Sequence, residues 1–303
     1  MKIINYFFAI LASIIFSILS FSSVSFAAGK DLTVVLSEEP DIVDPCEATR
    51  SNVGRIVKQN VSETLVEIDP KDGSIMPRLA TSWKQTDKLT WEFSLRKGVK
   101  FHDGTSLNAK SVIKSIKRAL NPKYDCEIRT KFFGNMSVSV SEKNSHTISI
   151  KTKSPQPIMP ALMGTMTIVS PNTQEAKGER NPQGTGPYVF DKWVPGQQVT
   201  LKRFSGYWGN KPQVENVKYI FRKESAVRAA MVKTGEADIA PNIAVQDAND
   251  SKMDFSYFNS ETSRLRIDMT RAPLDDIRVR KAMNLAIDLE GLRGSIFAKG
   301  VVP

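Results

Sequence analysis

The residues that could perform catalysis are few in this chain, and their spacing does not form a known catalytic motif. The 303 residues include only two histidines, His102 and His146, and each stands alone. The sequence has no His-Glu-x-x-His, no Gly-x-Ser-x-Gly and no cysteine–histidine order typical of a thiol enzyme. Isolated histidines are more often structural than catalytic. We therefore expect no catalytic residue, no metal and no cofactor, with an enzyme as the less favoured alternative.

Two further motifs resemble functional sites but have simpler interpretations. Gly184-Thr185-Gly186 could be mistaken for a phosphate loop, yet no Gly-Lys-Ser/Thr follows, and Pro187 lacks the N–H that such a loop would use. The acidic pair Asp275-Asp276 precedes an apolar pattern of helical spacing, where carboxylates stabilise the free N–H groups of a helix start. We interpret the first motif as a turn into a strand and the second as a helix cap.

The N-terminus has the pattern of an export signal. Lys2 is followed by no charged residue until Lys30, and residues 6–19 are almost continuously apolar. Ser25 and Ala27 supply the small side chains of a cleavage site, so residues 1–27 are predicted to be a cleaved signal peptide. The alternative is a membrane anchor, although the apolar run is shorter than the roughly 20 residues that a spanning helix needs. No cysteine follows the run, so we expect a periplasmic protein without a lipid anchor.

Two cysteines, Cys46 and Cys126, would enter an oxidising compartment if the chain is exported. Neither has a second cysteine or a histidine at metal-ligand spacing, which disfavours a zinc site. A disulfide between them would stabilise the fold by roughly 4–5 kcal/mol in the chain-entropy model. Two buried free thiols remain an alternative.

The composition is strongly basic, with a formal net charge of +10. The lysines and arginines are spread along the chain, and no cluster of them is interleaved with aromatic residues. This distribution is typical of a solvated surface, so we expect no nucleic-acid partner. Binding of an acidic ligand remains an alternative.

Strands and helices alternate along the chain without internal repeats, which predicts a mixed α/β (α+β) fold. Alternating polarity or short β-type runs predict strands at 32–36, 91–95, 147–151 and 237–240. Helical spacing predicts helices over 53–65, over 108–120 with Asn108 as cap, and over 224–234 with Ser225 as cap and Gly235 as stop. A last helix follows Asp275-Asp276 and carries an apolar stripe of Val279, Ala282, Met283, Ala286 and Ile287.

Five sequence blocks, in this order, resemble a known family. They read EP…DP at 39–45, MPRLA…W at 76–83, WEFSLRKGVKFHDG at 91–104, GTGPY at 184–188 with YW at 207–208, and PLDDIRVRKA at 273–282. The fourth block is reinforced by GEAD at 235–238. Together they are similar to the family 5 solute-binding proteins of ABC transporters, the peptide- and nickel-binding group.

The resemblance implies a two-lobed, periplasmic binding protein type II-like fold that closes over a solute and catalyses nothing. It places most of lobe one in residues 28–259, with an inserted subdomain at about 61–154, and only the beginning of lobe two in 260–303. Family chains continue well beyond the helix after residue 273, so the resemblance also implies a C-terminally truncated second lobe. Ligand contacts on both lobes would favour the closed state of such a protein.

The same resemblance nominates ligand-binding residues. The loop after Asp44 nominates Glu47 and Thr49, the strand end at 237–240 nominates Asn242, and the crossover before Pro273 nominates Ser263 and Arg264. Arg264 could hold an acidic group of a ligand by a bidentate contact. Ordinary loop polarity is the alternative for each of them.

The implied role is the monomeric substrate-binding component of an ABC importer, which binds a peptide or related small solute and delivers it to an inner-membrane permease. One alternative is a sensor co-receptor or a peptide chaperone, because one fold serves several functions. Another is a split-gene fragment with little binding activity.

Overall fold

The computed structural model describes residues 31–47, 51–175, 178–255 and 264–297, and two four-stranded sheets organise them. The first sheet has the strand order β1-β10-β9-β8, and the second has the order β4-β5-β7-β6; β2 and β3 form a separate pair. The strands are β1 (Leu32–Leu36), β2 (Val66–Ile68), β3 (Ile75–Pro77), β4 (Ala80–Asp87), β5 (Thr90–Leu95), β6 (Val138–Asn144), β7 (Thr147–Thr152), β8 (Tyr188–Val194), β9 (Gln198–Arg203) and β10 (Asn216–Phe221).

The helices lie between these strands and after the last one. They are α1 (Ser51–Val57), α2 (Ala109–Ala119), α3 (Met159–Met163), α4 (Ser225–Thr234), α5 (Ile277–Leu285) and α6 (Leu289–Leu292), with a 3₁₀ turn at Pro45–Glu47 and a π turn at Arg129–Phe133. The predicted mixed α/β class is confirmed. Within the described ranges, no helix has both the length and the apolar character needed to cross a membrane.

The first sheet mixes parallel and antiparallel pairing. β1 runs parallel to β10, with Leu36 beside Phe221, whereas β9 is antiparallel to both β10 and β8. Its core contains side chains from β1, α1, β9 and β10, among them Leu36, Ile56, Val199, Leu201 and Tyr219. A parallel pair needs a long crossover, and here the whole segment from α1 to β9 separates the two strands.

The second sheet is antiparallel throughout and packs against α2. Phe93, Ile148 and Ile150 are fully buried, and they share one core with Val112 and Ile116 of α2. The alternation of apolar and polar residues in β5 follows from this one-sided burial.

Local sequence signals determine the start of α2. Asn108 accepts a hydrogen bond from the Ser111 N–H at 3.0 Å, and the Ser111 hydroxyl accepts one from the Asn108 N–H at 2.9 Å. This reciprocal capping box satisfies two N–H groups that a helix start leaves unpaired. The prediction of a helix capped by Asn108 is therefore confirmed.

The predicted helix over 53–65 is wrong beyond Val57. Gln59 has a φ of 63°, in the left-handed region, and the Ser62 N–H bonds back to the Val57 carbonyl. The residues that follow are buried on all sides, among them Val61, Glu63, Thr64 and Leu65. A continuously buried segment places apolar residues at helical spacing without being a helix, which explains the error.

Two smaller predictions near the C-terminal end of the first sheet also need correction. Glu224, not Ser225, is at the cap position of α4, and the Ser225 hydroxyl instead accepts from the Ala244 N–H at 2.8 Å. The predicted strand at 237–240 is an isolated parallel bridge between Ile239 and Val34. The stop at Gly235 is confirmed, since this glycine has the left-handed φ of 78° that ends many helices.

Candidate functional site: the carboxyl edge of the first sheet

Three parallel segments end at the same edge of the first sheet. β1 pairs with β10 on one side and, through Val34, with Ile239 on the other. The residues that follow these segments, 37–47, 222–225 and 241–244, therefore lie along one edge. In open α/β sheets, ligands bind outside the carboxyl ends of parallel strands, so this edge is the candidate site.

Arg55 of α1 connects the two ends of this edge. Its Nη2 donates to the Asn242 side-chain oxygen at 3.0 Å, and its Nη1 donates to that of Asn52 at 3.3 Å. Asn52 in turn donates to the Glu38 carbonyl at 3.0 Å and to the Ser37 hydroxyl at 3.3 Å. The guanidinium is therefore oriented by two amides, and an oriented guanidinium is well suited to bind a carboxylate.

Arg228 of α4 fixes the loop that carries Asn242. The Arg228 side chain is buried, and it donates to the carbonyls of Asn242 at 3.0 Å, Arg222 at 2.9 Å and Lys223 at 2.6 Å. Asn242 itself has a φ of 58°, a conformation that asparagine tolerates better than most residues. The backbone therefore turns sharply at Asn242, and its side chain meets Arg55. We call Ser37, Asn52, Arg55, Arg228 and Asn242 the edge cluster.

A second feature, a surface cleft of about 680 Å³, lies beside the loop that follows β1. Glu47, which belongs to the 3₁₀ turn, lines this cleft together with Asp41, Ile42, Tyr124, Asp125, Gln174, Gly178, Glu179 and Arg180. Four of these nine residues are acidic. The charged side chains of the cleft are therefore mostly carboxylates, with Arg180 as the one basic residue of its lining.

A buried ion pair holds the 3₁₀ turn in place. Arg118 of α2 donates to the two Asp44 carboxylate oxygens at 2.7 and 3.3 Å, and the Cys46 N–H donates to the same carboxylate at 2.7 Å. Cys46 is also joined to Cys126 by a disulfide, with the Cα atoms 5.0 Å apart. These contacts connect the loop after β1 to α2 and to Cys126, and they hold in place the backbone that leads into Glu47.

Three of the five nominated ligand residues lie in the described part of the chain, each in different surroundings. Asn242 belongs to the edge cluster, Glu47 lines the acidic cleft, and Arg264 is exposed at the start of the last described segment. Thr49 and Ser263 lie outside the described residues.

Sequence reasoning did not single out the other members of the edge cluster. Asn52 and Arg55 have i, i+3 spacing on a short helix directly after the β1 loop, a signal that could have identified them. Arg228 lies inside a helical pattern that gives no hint of its burial. Its partner carbonyls come from residues brought close only by the fold.

A buried carboxylate, Glu63, is the centre of another polar cluster. It accepts from Arg78 at 2.7 Å, from the Trp208 indole at 2.8 Å, and from the hydroxyls of Tyr207 and Thr185 at 2.9 Å. Burial raises the pKa of the Glu63 carboxyl above its ordinary value of 4.5, and these donors oppose the rise. All the carboxylate oxygens have protein partners, so this cluster joins segments of the fold rather than binding a ligand.

Comparison with known proteins places the chain in context. Residues 74–303 match the family model described as bacterial extracellular solute-binding proteins, family 5. The glutathione-binding protein GsiB of Salmonella choleraesuis is 29% identical over 294 residues, which are 91% of this chain and 57% of GsiB. The chain thus spans a little over half the length of this curated relative.

Solved structures show the same fold. NikZ from Campylobacter jejuni, in complex with Ni(L-His), has a TM-score of 0.69 and 26% identity over 86% of this chain and 54% of its own. The Helicobacter pylori periplasmic binding protein DppA, in complex with the peptide STSA, has a TM-score of 0.61 and 25% identity over 69% of this chain and 46% of its own. This chain belongs to family 5 of the bacterial extracellular solute-binding proteins.

Proposed function

We propose that the chain is the substrate-binding component of an ABC importer and takes up a peptide or related small solute through the carboxyl edge of its first sheet. The observation that carries this proposal is the Arg55–Asn242 contact, which orients a guanidinium at the ligand-binding edge of a family 5 chain. The same family membership supports the further proposal that the chain delivers its solute to an inner-membrane permease.

The solutes of the relatives suggest what this edge recognises. Glutathione, the peptide STSA and the histidine of Ni(L-His) each carry a carboxylate next to an amine-bearing or peptide-bonded carbon. Arg55 would bind the carboxylate, and Asn242 would hold a neighbouring polar group. Glu47, Thr49, Ser263 and Arg264 remain proposed as further ligand contacts.

The domain organisation is part of the proposal. Residues 28–259 form most of lobe one, with the second sheet inside the inserted subdomain at about 61–154, and residues 260–303 begin lobe two. Closure of the two lobes over the solute would complete the site, because ligand shifts the equilibrium by binding the closed state more tightly.

Calorimetric titration with glutathione, a tetrapeptide and nickel–histidine tests the site. It is made with the chain alone and with a polypeptide that supplies the part of GsiB that this chain does not match. We expect Arg55→Gln to weaken the affinity for the most tightly bound of these solutes by about 10- to 150-fold, which is the range for the loss of a hydrogen bond to a charged group. Lys71→Gln is the control, because it removes the same charge from an exposed turn between β2 and β3. Equal binding by Arg55→Gln and the control would overturn the assignment of Arg55, and no binding of any solute in either format would overturn the function.

Export is tested separately. We propose that residues 1–27 are removed and that the protein works in the periplasm. Mass spectrometry of the periplasmic fraction should find a mature N-terminus at Ala28, whereas a membrane-retained product with Met1 intact would contradict it.

A further inference from the structure

The outer face of α2 is a continuous basic stripe. Lys110, Lys114 and Lys117 are all exposed, and at 100° per residue they fall within about 60° of arc along about 10 Å of the helix axis. The helix contains no acidic residue. We call these three lysines the α2 stripe.

The body of the protein fixes the orientation of this stripe. Val112 and Ile116 on the opposite face are fully buried against the second sheet. Arg118, the other basic residue of the helix, is turned inward and paired with Asp44. The capping box at Asn108 holds the first turn. The three lysines therefore cannot turn toward the core, and they face solvent together.

No acidic side chain in the described part of the chain forms an ion pair with the stripe. Among the ion pairs of the described residues, none includes Lys110, Lys114 or Lys117. Elsewhere on this subdomain, the exposed Lys84 and Lys143 pair with Glu92 on the far face of the sheet, whereas Lys71, Lys88 and Lys153 are exposed and make no ion pair among the described residues. The stripe is therefore distinguished by the alignment of its three lysines on one helix face, not by their lack of ion-pair partners. The exposed Glu142 of β6, which packs beside α2, makes no ion pair with the stripe.

We propose that the α2 stripe docks the protein on an anionic phospholipid bilayer. Lysine is depleted in the cores of protein–protein interfaces, where aromatic residues and arginine are enriched, and the stripe contains neither. Lysines along one helix face instead suit the diffuse negative charge of a headgroup layer, to which each contributes a similar attraction. This inference goes beyond the proposed function: the docked protein would diffuse along the membrane, with α2 facing the lipid.

The size of the effect can be estimated. A lysine near an anionic surface strengthens binding by about fivefold, so three of them contribute about a hundredfold. The attraction is screened within about 10 Å at moderate ionic strength and should fall steeply as salt is added.

Vesicle co-sedimentation of the 303-residue chain tests the proposal. Vesicles of phosphatidylglycerol and phosphatidylcholine in equal parts are compared with vesicles of phosphatidylcholine alone, at low and high salt. The ratio of the two partition coefficients removes the contribution of the apolar N-terminal residues, which would enter both kinds of vesicle. The test variant is Lys110→Gln/Lys114→Gln/Lys117→Gln, in which glutamine keeps a similar helix propensity. The control variant, Lys71→Gln/Lys88→Gln/Lys153→Gln, removes the same charge from exposed sites outside α2.

We expect the wild-type chain to prefer anionic vesicles at low salt, the test variant to lose about a hundredfold of that preference, and the control to keep most of it. Circular dichroism checks that both variants fold. An equal loss in the two variants would show that net charge acts without the stripe, and would overturn the proposal. So would the absence of any preference in the wild-type chain, the result expected if an acidic protein surface were the partner instead.

Discussion

Glu63 is a single buried charge on which contacts between distant parts of the chain depend. Its side chain is fully buried, whereas its ion-pair partner Arg78 keeps 24% of its side chain exposed. We expect Glu63→Gln to destabilise the fold by about 2–3 kcal/mol, somewhat less than the loss of a fully buried pair, because water can still reach Arg78. The amide NH2 would also face a donor in either orientation, the Trp208 indole at the position of one carboxylate oxygen or the Arg78 guanidinium at the other. Urea-induced unfolding measures the change.

Glu67→Gln is the matched control for this prediction. Glu67 lies 3.6 Å from the same Arg78, but 35% of its side chain is exposed. Its loss should cost less than about 1 kcal/mol, as for most surface ion pairs. Equal losses of unfolding free energy in the two variants would mean that the burial of Glu63 adds nothing to the effect of removing one negative charge beside Arg78.

His102 should make the stability of the fold depend on pH. Its Nε2 lies 2.9 Å from the Gly186 carbonyl, and its Nδ1 accepts from the Gly184 N–H at 3.3 Å, so the contacts fit the neutral ring with its proton on Nε2. Burial lowers the pKa of His102 below its ordinary value of 6.5. Below pH 6.5, His102 is protonated in the unfolded chain but stays neutral in the folded chain until the pH falls further. The free energy of unfolding should therefore be fully retained above this pH and decrease as the pH falls from 6.5.

Substitution of the two histidines in turn tests the assignment. Unfolding free energies measured by urea between pH 7.5 and 5.5 should lose their slope in His102→Gln. The slope should persist in His146→Gln, since the one described hydrogen bond of the His146 ring is to the adjacent Ser145 hydroxyl. A slope that survives in His102→Gln would assign the pH dependence to other groups.

At the level of elements, the sequence predicts best where structure is determined locally. The α2 helix was predicted because its cap, Asn108, and its apolar spacing are all within a dozen residues. The helix over 53–65 was overextended because burial of residues 61–65 comes from distant partners, such as Thr185 and Trp208 on Glu63. The same limit applies to the candidate site: Arg55 and Asn242 are 187 positions apart, and no local pattern joins them.

The turn at 184–186 shows why two glycines stand before β8. A Cβ on Gly184 would lie 2.0 Å from the Val61 carbonyl oxygen, and one on Gly186 would lie 2.3 Å from that of Asn60. The Gly186 N–H also bonds to the Val61 carbonyl at 2.9 Å. The backbone of residues 184–186 thus touches that of residues 60–62, just beyond the end of α1. The Gly-Thr-Gly motif is therefore explained by packing rather than by phosphate binding.

We therefore expect Gly184→Ala to destabilise the fold by about 3 kcal/mol or more, since the backbone opposite it cannot move aside as a flexible side chain would. Gly196→Ala is the control: Gly196 has a φ of 73°, but nothing lies within 4 Å of its added Cβ. That substitution should cost only about 1 kcal/mol, the strain of a left-handed backbone. Thermal unfolding of both variants measures the difference, and a smaller loss for Gly184→Ala than for Gly196→Ala would contradict the packing argument.

Over the whole molecule, burial is distributed very unevenly. The two sheets enclose the cores, whereas none of the described residues 264–297 is buried. α5 begins as predicted, with Asp276 accepting from the Arg278 N–H at 2.8 Å. Its apolar side chains nevertheless face solvent, with Leu285 85% and Ile277 57% exposed. The helix ends at Leu285, so the predicted apolar stripe is confirmed only for Val279, Ala282 and Met283, and Ala286 and Ile287 lie beyond the last helical residue. None of these five residues is buried by the described elements.

This contrast predicts a large difference in local stability. Amide protons exchange through local opening where few apolar contacts hold an element, and through global unfolding where many do. α2 buries seven of its residues and α5 buries none, so protection factors in α2 should exceed those in α5 by more than about a hundredfold. Hydrogen exchange followed by mass spectrometry compares the two helices within one sample. If the α5 face is the contact surface of lobe two, adding a polypeptide that supplies the part of GsiB outside this match should raise protection in α5 and leave α2 unchanged. Equal protection of the two helices in the chain alone would contradict this account, because it would mean that α5 is held by contacts other than its exposed stripe.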